Sequence, residues 1–389
     1  MARRRSSADV STSLEQLLSA NEVVVTCGSG GVGKTTSAAA LGAMAAAHLG
    51  GRVLVLTVDP AKRLANALGL EQFGNVETEV PRSAFTDAGV EPRGTLFAAM
   101  LDTKSSWDDL VRLHAPDDAT RDAILANPLY QNITGKFVQS HDYIAMERLY
   151  EIHSSGRYDL IVVDTPPTRN AIDFLEAPER MAEFFGSRLL RWLTVPARSR
   201  VLNMASKPFY SIADRILGSQ FLEDIAEFFL LFQTMYDGFV ERSRAVSRLL
   251  EAHDTTFVVV STLEPAPAQE AEFFVDALTE RKLHLGALVF NKVLPTELFT
   301  ADAARVADGL CHDASSVAAA ADGDLDRDQV CRVLGEVAES FLNYRLVAAR
   351  EAEEAARLGA RAEVVATVPY LADDIHDLGG LLGLGTHLW

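Results

Sequence analysis

The sequence predicts a doubly wound α/β fold with a mostly parallel sheet, and three observations predict it. Six or seven segments are continuous apolar runs rather than alternating ones, the pattern of strands covered on both faces. Segments of helical periodicity separate them, as βαβ connections require. The first apolar run, VVVTC at 23–27, leads into GSGGVGKTT at 28–36 and then an alanine-rich helical stretch. Strand, glycine loop, Lys-Thr and helix in that order are the context of a P-loop.

The loop has its own physics. The glycines at 28, 30, 31 and 33 let the backbone curl so that the amides of Gly28, Ser29, Gly30, Gly31, Val32 and Gly33 point inward. The helix start adds its positive dipole end. Lys34 neutralises the β- and γ-phosphates of ATP, the Thr35 hydroxyl takes Mg²⁺, and Thr36 completes the nucleotide-binding stretch.

The elements follow in order. A polar tail over 1–20 ends in a short helix, SLEQLLSA. RVLVLTVDP at 52–60 is a second strand with Asp59 at its carboxyl end, and AKRLANALGL turns helical. Residues 71–94 mix prolines, glycines and acids and read as a surface loop. TLFAAMLD at 95–102 and LIVVD at 160–164 are strands, separated by helical periodicity from 104 to about 155. A further helical region runs from about 170 to 252. TFVVVSTL at 256–263 and LGALVFNK at 285–292 are strands around the helix PAQEAEFFVDALTERK. Residues 312–328, rich in alanine and aspartate, read as mobile; a charged helix at 329–358 and a strand at 363–371 follow. The two long helical blocks exceed simple crossovers. The chain is therefore read as one domain, 1–389, with a helical subdomain inserted at about 104–155 and 170–252. Its nucleotide-binding core then comprises 20–103, 156–169 and 253–389.

Composition excludes some functions. A formal charge of −18 disfavours a nucleic-acid binder. Basic MARRRSS is not followed by the apolar region of a signal peptide, and no run is long enough to span a bilayer. With three cysteines that fit a reducing compartment, a cytoplasmic location is expected.

Ligand-binding residues of such folds gather at the carboxyl ends of strands. Asp164 ends LIVVD as a Walker B acid does and is expected to hold Mg²⁺ directly or through water. Asp59 ends LVLTVD; a carboxylate there could orient or activate the attacking water, with a cap for the helix that follows as the competing reading.

GGVGKTT, VDPAKRLANALG and VVDTPPTRNAIDFLEAP, in that order, resemble the ArsA family. That family includes the arsenite-pump-driving ATPase and the GET-pathway ATPase that targets tail-anchored membrane proteins. It belongs to the dimeric P-loop (SIMIBI) class with MinD and nitrogenase iron protein. The resemblance implies Mg·ATP hydrolysis within a dimer. It implies that Asp59, in switch I, acts with Lys34 in catalysis and lies with Thr35 and Asp164 about the Mg²⁺. Asp164–Thr168 would form switch II. It also implies that Asn291, from VFNK, and the segment Pro369, Tyr370 and Leu371 flank the base; on residues alone Asn291 could be a turn residue.

Two departures matter. The family's loop usually reads G-K-G-G-x-G-K-T, its first lysine reaching the partner's nucleotide, and Ser29 stands there. A cation acting in trans on a transferring phosphate can be worth about a thousandfold in rate. Lys62 or Arg63 could substitute. The resemblance to paired actinobacterial members implies instead a heterodimer, in which a paralogous subunit carrying the lysine completes the site on this chain; a slow ATPase is the plainer alternative. The zinc-binding C-x-x-C of the targeting ATPase is absent, and Cys311 and Cys331 match no zinc spacing.

Phe221, Ile225, Phe228, Phe229, Phe232, Met235, Tyr236 and Phe239 form an apolar stripe at helical spacing. The resemblance implies a groove there for an apolar peptide or membrane-protein client, and ordinary packing within the subdomain or against a second subunit is the competing reading. Two alternative functions stay open. One is a membrane-partnered metalloid or anion pump ATPase. The other is a nucleotide-gated chaperone or binding module with negligible turnover.

Overall fold

The computed structural model describes residues 13–58, 62–70, 74–128, 130–131, 138–166, 176, 183, 230–231, 236–320, 326–371 and 373–389. α1 (Leu14–Ala20) starts at Ser13, whose hydroxyl accepts a hydrogen bond from the Gln16 N–H at 3.3 Å, an N-cap. It packs Leu14, Leu17 and Leu18 inward and delivers the chain to β1 (Val23–Cys27). Every residue of β1 is buried, with Val23, Val25 and Cys27 in one core and Val24 in the other. A strand with two dry faces must read as a continuous apolar run, which is why the sequence shows no alternation.

α2 (Lys34–His48) follows the loop, then β2 (Gly51–Thr57), α3 (Lys62–Ala67), β3 (Thr78–Glu79), α4 (Arg82–Asp87) and β4 (Gly94–Met100). α5 (Thr103–His114), α6 (Asp118–Ala126) and α7 (Val138–Ser154) precede β5 (Leu160–Asp164). Then come α8 (Tyr236–Leu250), β6 (Thr255–Ser261), α9 (Pro265–Glu280) and β7 (Leu285–Val293). α10 (Ala301–His312), α11 (Ala314–Ala320), the 33-residue α12 (Arg327–Gly359), β8 (Val364–Pro369) and α13 (Leu378–Leu388) close the chain.

Among the described residues the strands form one eight-stranded sheet, in the order β3-β4-β2-β5-β1-β6-β7-β8. All pairings are parallel except β3 with β4. β1 leads outward to β2 on one side, and β5 leads back across β1 to β6 on the other. The carboxyl end of β1 therefore lies where the winding reverses, the place such sheets offer to ligands.

α2 is held between the sheet and α13. Its alanines favour a helix and leave it thin enough to approach both. A Cβ on Gly42 would stand 2.3 Å from Val55 Cγ2, and one on Gly385 2.3 Å from Met44 Cγ. Gly42→Val is therefore expected to destabilise the fold by about 1–3 kcal/mol, read as a lower midpoint in equilibrium denaturation.

One expectation needs correction. Residues 71–94 are not simply a surface loop: β3 and α4 lie there, with Val80 and Phe85 buried against the α2 side of the sheet. Of the stretch 312–328, the described residues hold α11 and the start of α12, as the helix propensity of an alanine run favours, and 321–325 lie outside them. No helix among the described residues is long and apolar enough to cross a membrane.

Candidate active site

The loop after β1 is pressed onto its neighbours at Gly28 and Gly33, and open at Gly30 and Gly31. A Cβ on Gly28 would lie 2.2 Å from the Val260 carbonyl oxygen of β6. Gly33 caps α2 with φ +92°, a left-handed conformation that side chains rarely adopt. Gly30 and Gly31 are exposed, whereas Ser29, Val32 and Lys34 are buried; Thr35 and Thr36 are half-buried. The Ser29 hydroxyl has no hydrogen-bond partner among the described residues.

Three strand ends converge on one carboxylate. Parallel register sets Thr57 of β2 and Thr26 of β1 opposite Asp164 of β5. Asp164 is fully buried. Its Oδ2 accepts the Thr35 hydroxyl at 2.6 Å and the Thr57 hydroxyl at 2.9 Å. The Lys34 ammonium donates to the Thr165 carbonyl and stands 3.5 Å from Asp164 Oδ1. Oδ1 accepts no hydrogen bond among the described residues. Burial pushes the Asp164 carboxyl above its ordinary 3.8, while the Lys34 charge and the Thr35 and Thr57 hydroxyls pull it back. Thr165 ties β5 to β1: its hydroxyl donates to the Thr26 carbonyl at 2.9 Å, and the Thr26 hydroxyl donates to the Val163 carbonyl at 3.0 Å.

This arrangement fits the ligands the loop calls for. A buried carboxylate oxygen without a hydrogen bond beside a threonine hydroxyl is the hard-oxygen set that Mg²⁺ takes. Gly28 and Gly33 stand where the loop backbone approaches the Val260 carbonyl and the Asn291 amide too closely for a Cβ. An ammonium at the base of the loop supplies the countercharge for phosphate.

Thr57 was not among the residues expected from sequence, whereas Thr165 falls within the expected switch II, Asp164–Thr168. Thr57 closes the β2 run two positions before Asp59, which is the one signal that could have found it. Asp59 itself lies outside the described residues, as do Pro167 and Thr168. The chain does leave β2 beside the site, since the Val58 N–H donates to the Asp164 carbonyl at 3.1 Å. Lys62 opens α3, with Arg63 next. Asn291, near the end of β7, is brought to the loop: its Nδ2 donates to the Val32 carbonyl at 2.8 Å. Pro369 ends β8, the Tyr370 N–H donates to the Val293 carbonyl at 3.1 Å, and Leu371 packs on the α2-side core. Of the apolar stripe, Phe221, Ile225, Phe228, Phe229, Phe232 and Met235 lie outside the described residues. A separate cavity of about 300 Å³ opens against α5, α7 and α8, and its charges pair with one another, Arg242 with Glu147 and Arg112 with Asp109.

Cys27 lies beneath the loop. Burial pushes its thiol up to about 12, opposed by the Thr165 hydrogen bond and the Lys34 charge. Because the folded value exceeds the ordinary 9.0, this thiol's contribution to stability is complete below about 9 and is lost as pH rises towards 12. The native chain at pH 8 is expected to alkylate rapidly at exposed Cys311, more slowly at half-buried Cys331, and at Cys27 only after unfolding. Timed labelling with peptide mass mapping reads this directly.

Comparison with known proteins places these features in company. The family model described as Anion-transporting ATPase matches residues 21–306, more than half of the chain. The protein called ATPase get3 of Aspergillus terreus is 28% identical over 278 residues, 69% of this chain and 72% of that protein. ATPase ASNA1 homolog 1 of Paramecium tetraurelia is 26% identical over 273 residues, 69% of this chain and 73% of that protein. An uncharacterised protein of Streptomyces coelicolor is 29% identical over 272 residues, 69% of this chain and 62% of that protein. The matched span contains the loop, Asp59, Asp164 and Asn291, and stops before α11, α12 and β8.

Proposed function

This chain belongs to the anion-transporting ATPase family, and on that premise we propose that it hydrolyses Mg·ATP at the loop 28–36 to drive a dimer-linked conformational switch. The single observation that carries the reading is the Lys34–Asp164–Thr35 cluster at the carboxyl end of β1 and β5. Thr35 and Asp164 would hold Mg²⁺, with Thr57 fixing the carboxylate through its hydrogen bond to Oδ2. When bound, Mg²⁺ neutralises charge developing on the phosphate oxygens. Lys34 moves its ammonium from the Thr165 carbonyl to the β- and γ-phosphates. The loop amides of Gly28–Gly33 hold the phosphates, and Asp59 orients the attacking water. Catalysis is then positioning plus charge stabilisation.

In this reading the chain is the lysine-lacking subunit of a heterodimer. Ser29 brings no cation to a partner's nucleotide, so a paralogous subunit with lysine at the corresponding position completes the site built here. Closure moves the helical subdomain, 104–155 and 170–252, whose apolar stripe at 221–239 takes an apolar segment of a client or of the partner. Ser29 also favours a second reading, a nucleotide-gated binding module with negligible turnover.

Light scattering with a non-hydrolysable ATP analogue tests the assembly. The expected result is a mass of one copy of each chain when the lysine-bearing paralogue is mixed in. A chain that stays monomeric with nucleotide and paralogue, or that pairs only with itself, contradicts the heterodimer.

A further inference from the structure

The end of β7 holds the outer side of the loop in a way that neither the motif nor the family match assigns. Two successive loop carbonyls are taken by two successive residues of β7. Asn291 Nδ2 donates to the Val32 carbonyl at 2.8 Å, and Lys292 Nζ donates to the Gly31 carbonyl at 3.3 Å. The Asn291 amide is committed at both ends, since its Oδ1 accepts the Lys292 N–H at 2.9 Å. It is buried and lies so close to the loop that a Cβ on Gly33 would stand 2.2 Å from Nδ2.

The backbone here is bent to make this reach. Lys292 has φ +59°, a left-handed conformation uncommon outside glycine. The β7–β8 register shifts between Phe290 and Val293, so the regular ladder is interrupted at Asn291 and Lys292. A turn needing only that conformation would be served better by glycine. Lysine at this position therefore points to use of its side chain.

A trans peptide unit is planar, so its C=O and the next residue's N–H point in opposite directions. Fixing the Gly31 and Val32 carbonyls toward β7 aims the Val32 and Gly33 N–H groups the other way, into the curl of the loop. We infer that Asn291 and Lys292 act together as a carbonyl clamp that preorganises the loop amides for the phosphates of the nucleotide, a role for Asn291 other than reading the base. This inference rests on the reading that the loop binds ATP. Both are positioning residues, acting through the backbone amides of Val32 and Gly33 rather than on the phosphates themselves.

The test is equilibrium binding to the full chain of Mg·ATP, of Mg·GTP, and of inorganic tripolyphosphate by displacement of a fluorescent ATP analogue, alongside thermal denaturation. Lys292→Gly removes the donor and relieves the left-handed strain. It is expected to weaken ATP and tripolyphosphate by the same factor, about three- to tenfold for one lost hydrogen bond, while melting no earlier than wild type. Lys292→Arg, which keeps a donor, stays near wild-type affinity. Asn291→Ala weakens ATP, GTP and tripolyphosphate in parallel. Unchanged ATP affinity in Lys292→Gly would overturn the clamp, as would an Asn291→Ala loss confined to ATP, the mark of a base reader. Failure of the wild-type chain to bind ATP any better than Lys34→Ala would instead overturn the underlying assignment of the loop.

Discussion

Lys34→Ala lowers the rate of ATP cleavage by this chain about a hundred- to a thousandfold. The ammonium is buried, and its present partners are the Thr165 carbonyl and Asp164. It stands at the base of the glycine loop, so its removal takes from the transferring phosphate the ammonium this chain places beside Asp164. Loss of one preorganised donor to developing charge typically removes about that much rate. A second consequence follows within the fold. Asp164 loses the neighbour that draws its carboxyl back toward the ordinary range, and burial then acts on it with less opposition. Single-turnover hydrolysis with the complete dimer separates the rate effect from weaker binding. A variant within about threefold of wild type would show that the loop is not where ATP is cleaved.

Asp164→Asn is the second large effect, a loss of about a hundredfold or more at fixed Mg²⁺. The substitution keeps size but removes the charge and one acceptor, at a position where both Thr35 and Thr57 donate to the same oxygen. A metal stabilising transition-state charge contributes several kcal/mol, and about 1.36 kcal/mol is a factor of ten. Raising Mg²⁺ should recover part of the rate in Asp164→Asn and none in Lys34→Ala. The sign of the pH effect on the nucleotide-free chain is set by burial. The folded carboxyl titrates above its ordinary 3.8, so its stabilising contribution is complete below that value and is lost as pH rises through the folded one. Asp164→Asn lacks that titration. The stability of wild type relative to the variant should therefore fall as pH is raised from acid, as measured by denaturant midpoints across the range.

The parts of this site that could be read from sequence are those whose chemistry is local. The loop, Lys34 and Thr35 are contiguous, and Asp164 closes an unbroken apolar strand. The parallel sheet was legible because strands dry on both faces leave continuous apolar runs. Thr57 was not legible, because its partner Asp164 is 107 positions away and the pairing exists only through strand register. The clamp from β7 hides for the same reason, and nothing about a lysine signals a left-handed φ. β3, two residues long, and α4, six, are too short to give a period, so prolines and glycines set the reading of 71–94 as a loop. Asp59 had only its place after a strand to identify it. That place is shared by helix caps, so the residue's role rests on the family's motif and on mutation.

The site on this chain, in the function proposed above, cleaves ATP and is completed in trans. Phosphate release tests this most directly, measured for this chain alone, with its lysine-bearing paralogue, and with that paralogue's signature Lys→Ala variant. The expected result is slow release alone, strong activation by the paralogue, and loss of the activation in the variant, with Lys34→Ala in this chain silencing the mixture. Equal activation by both forms of the paralogue, or none by either, would contradict it.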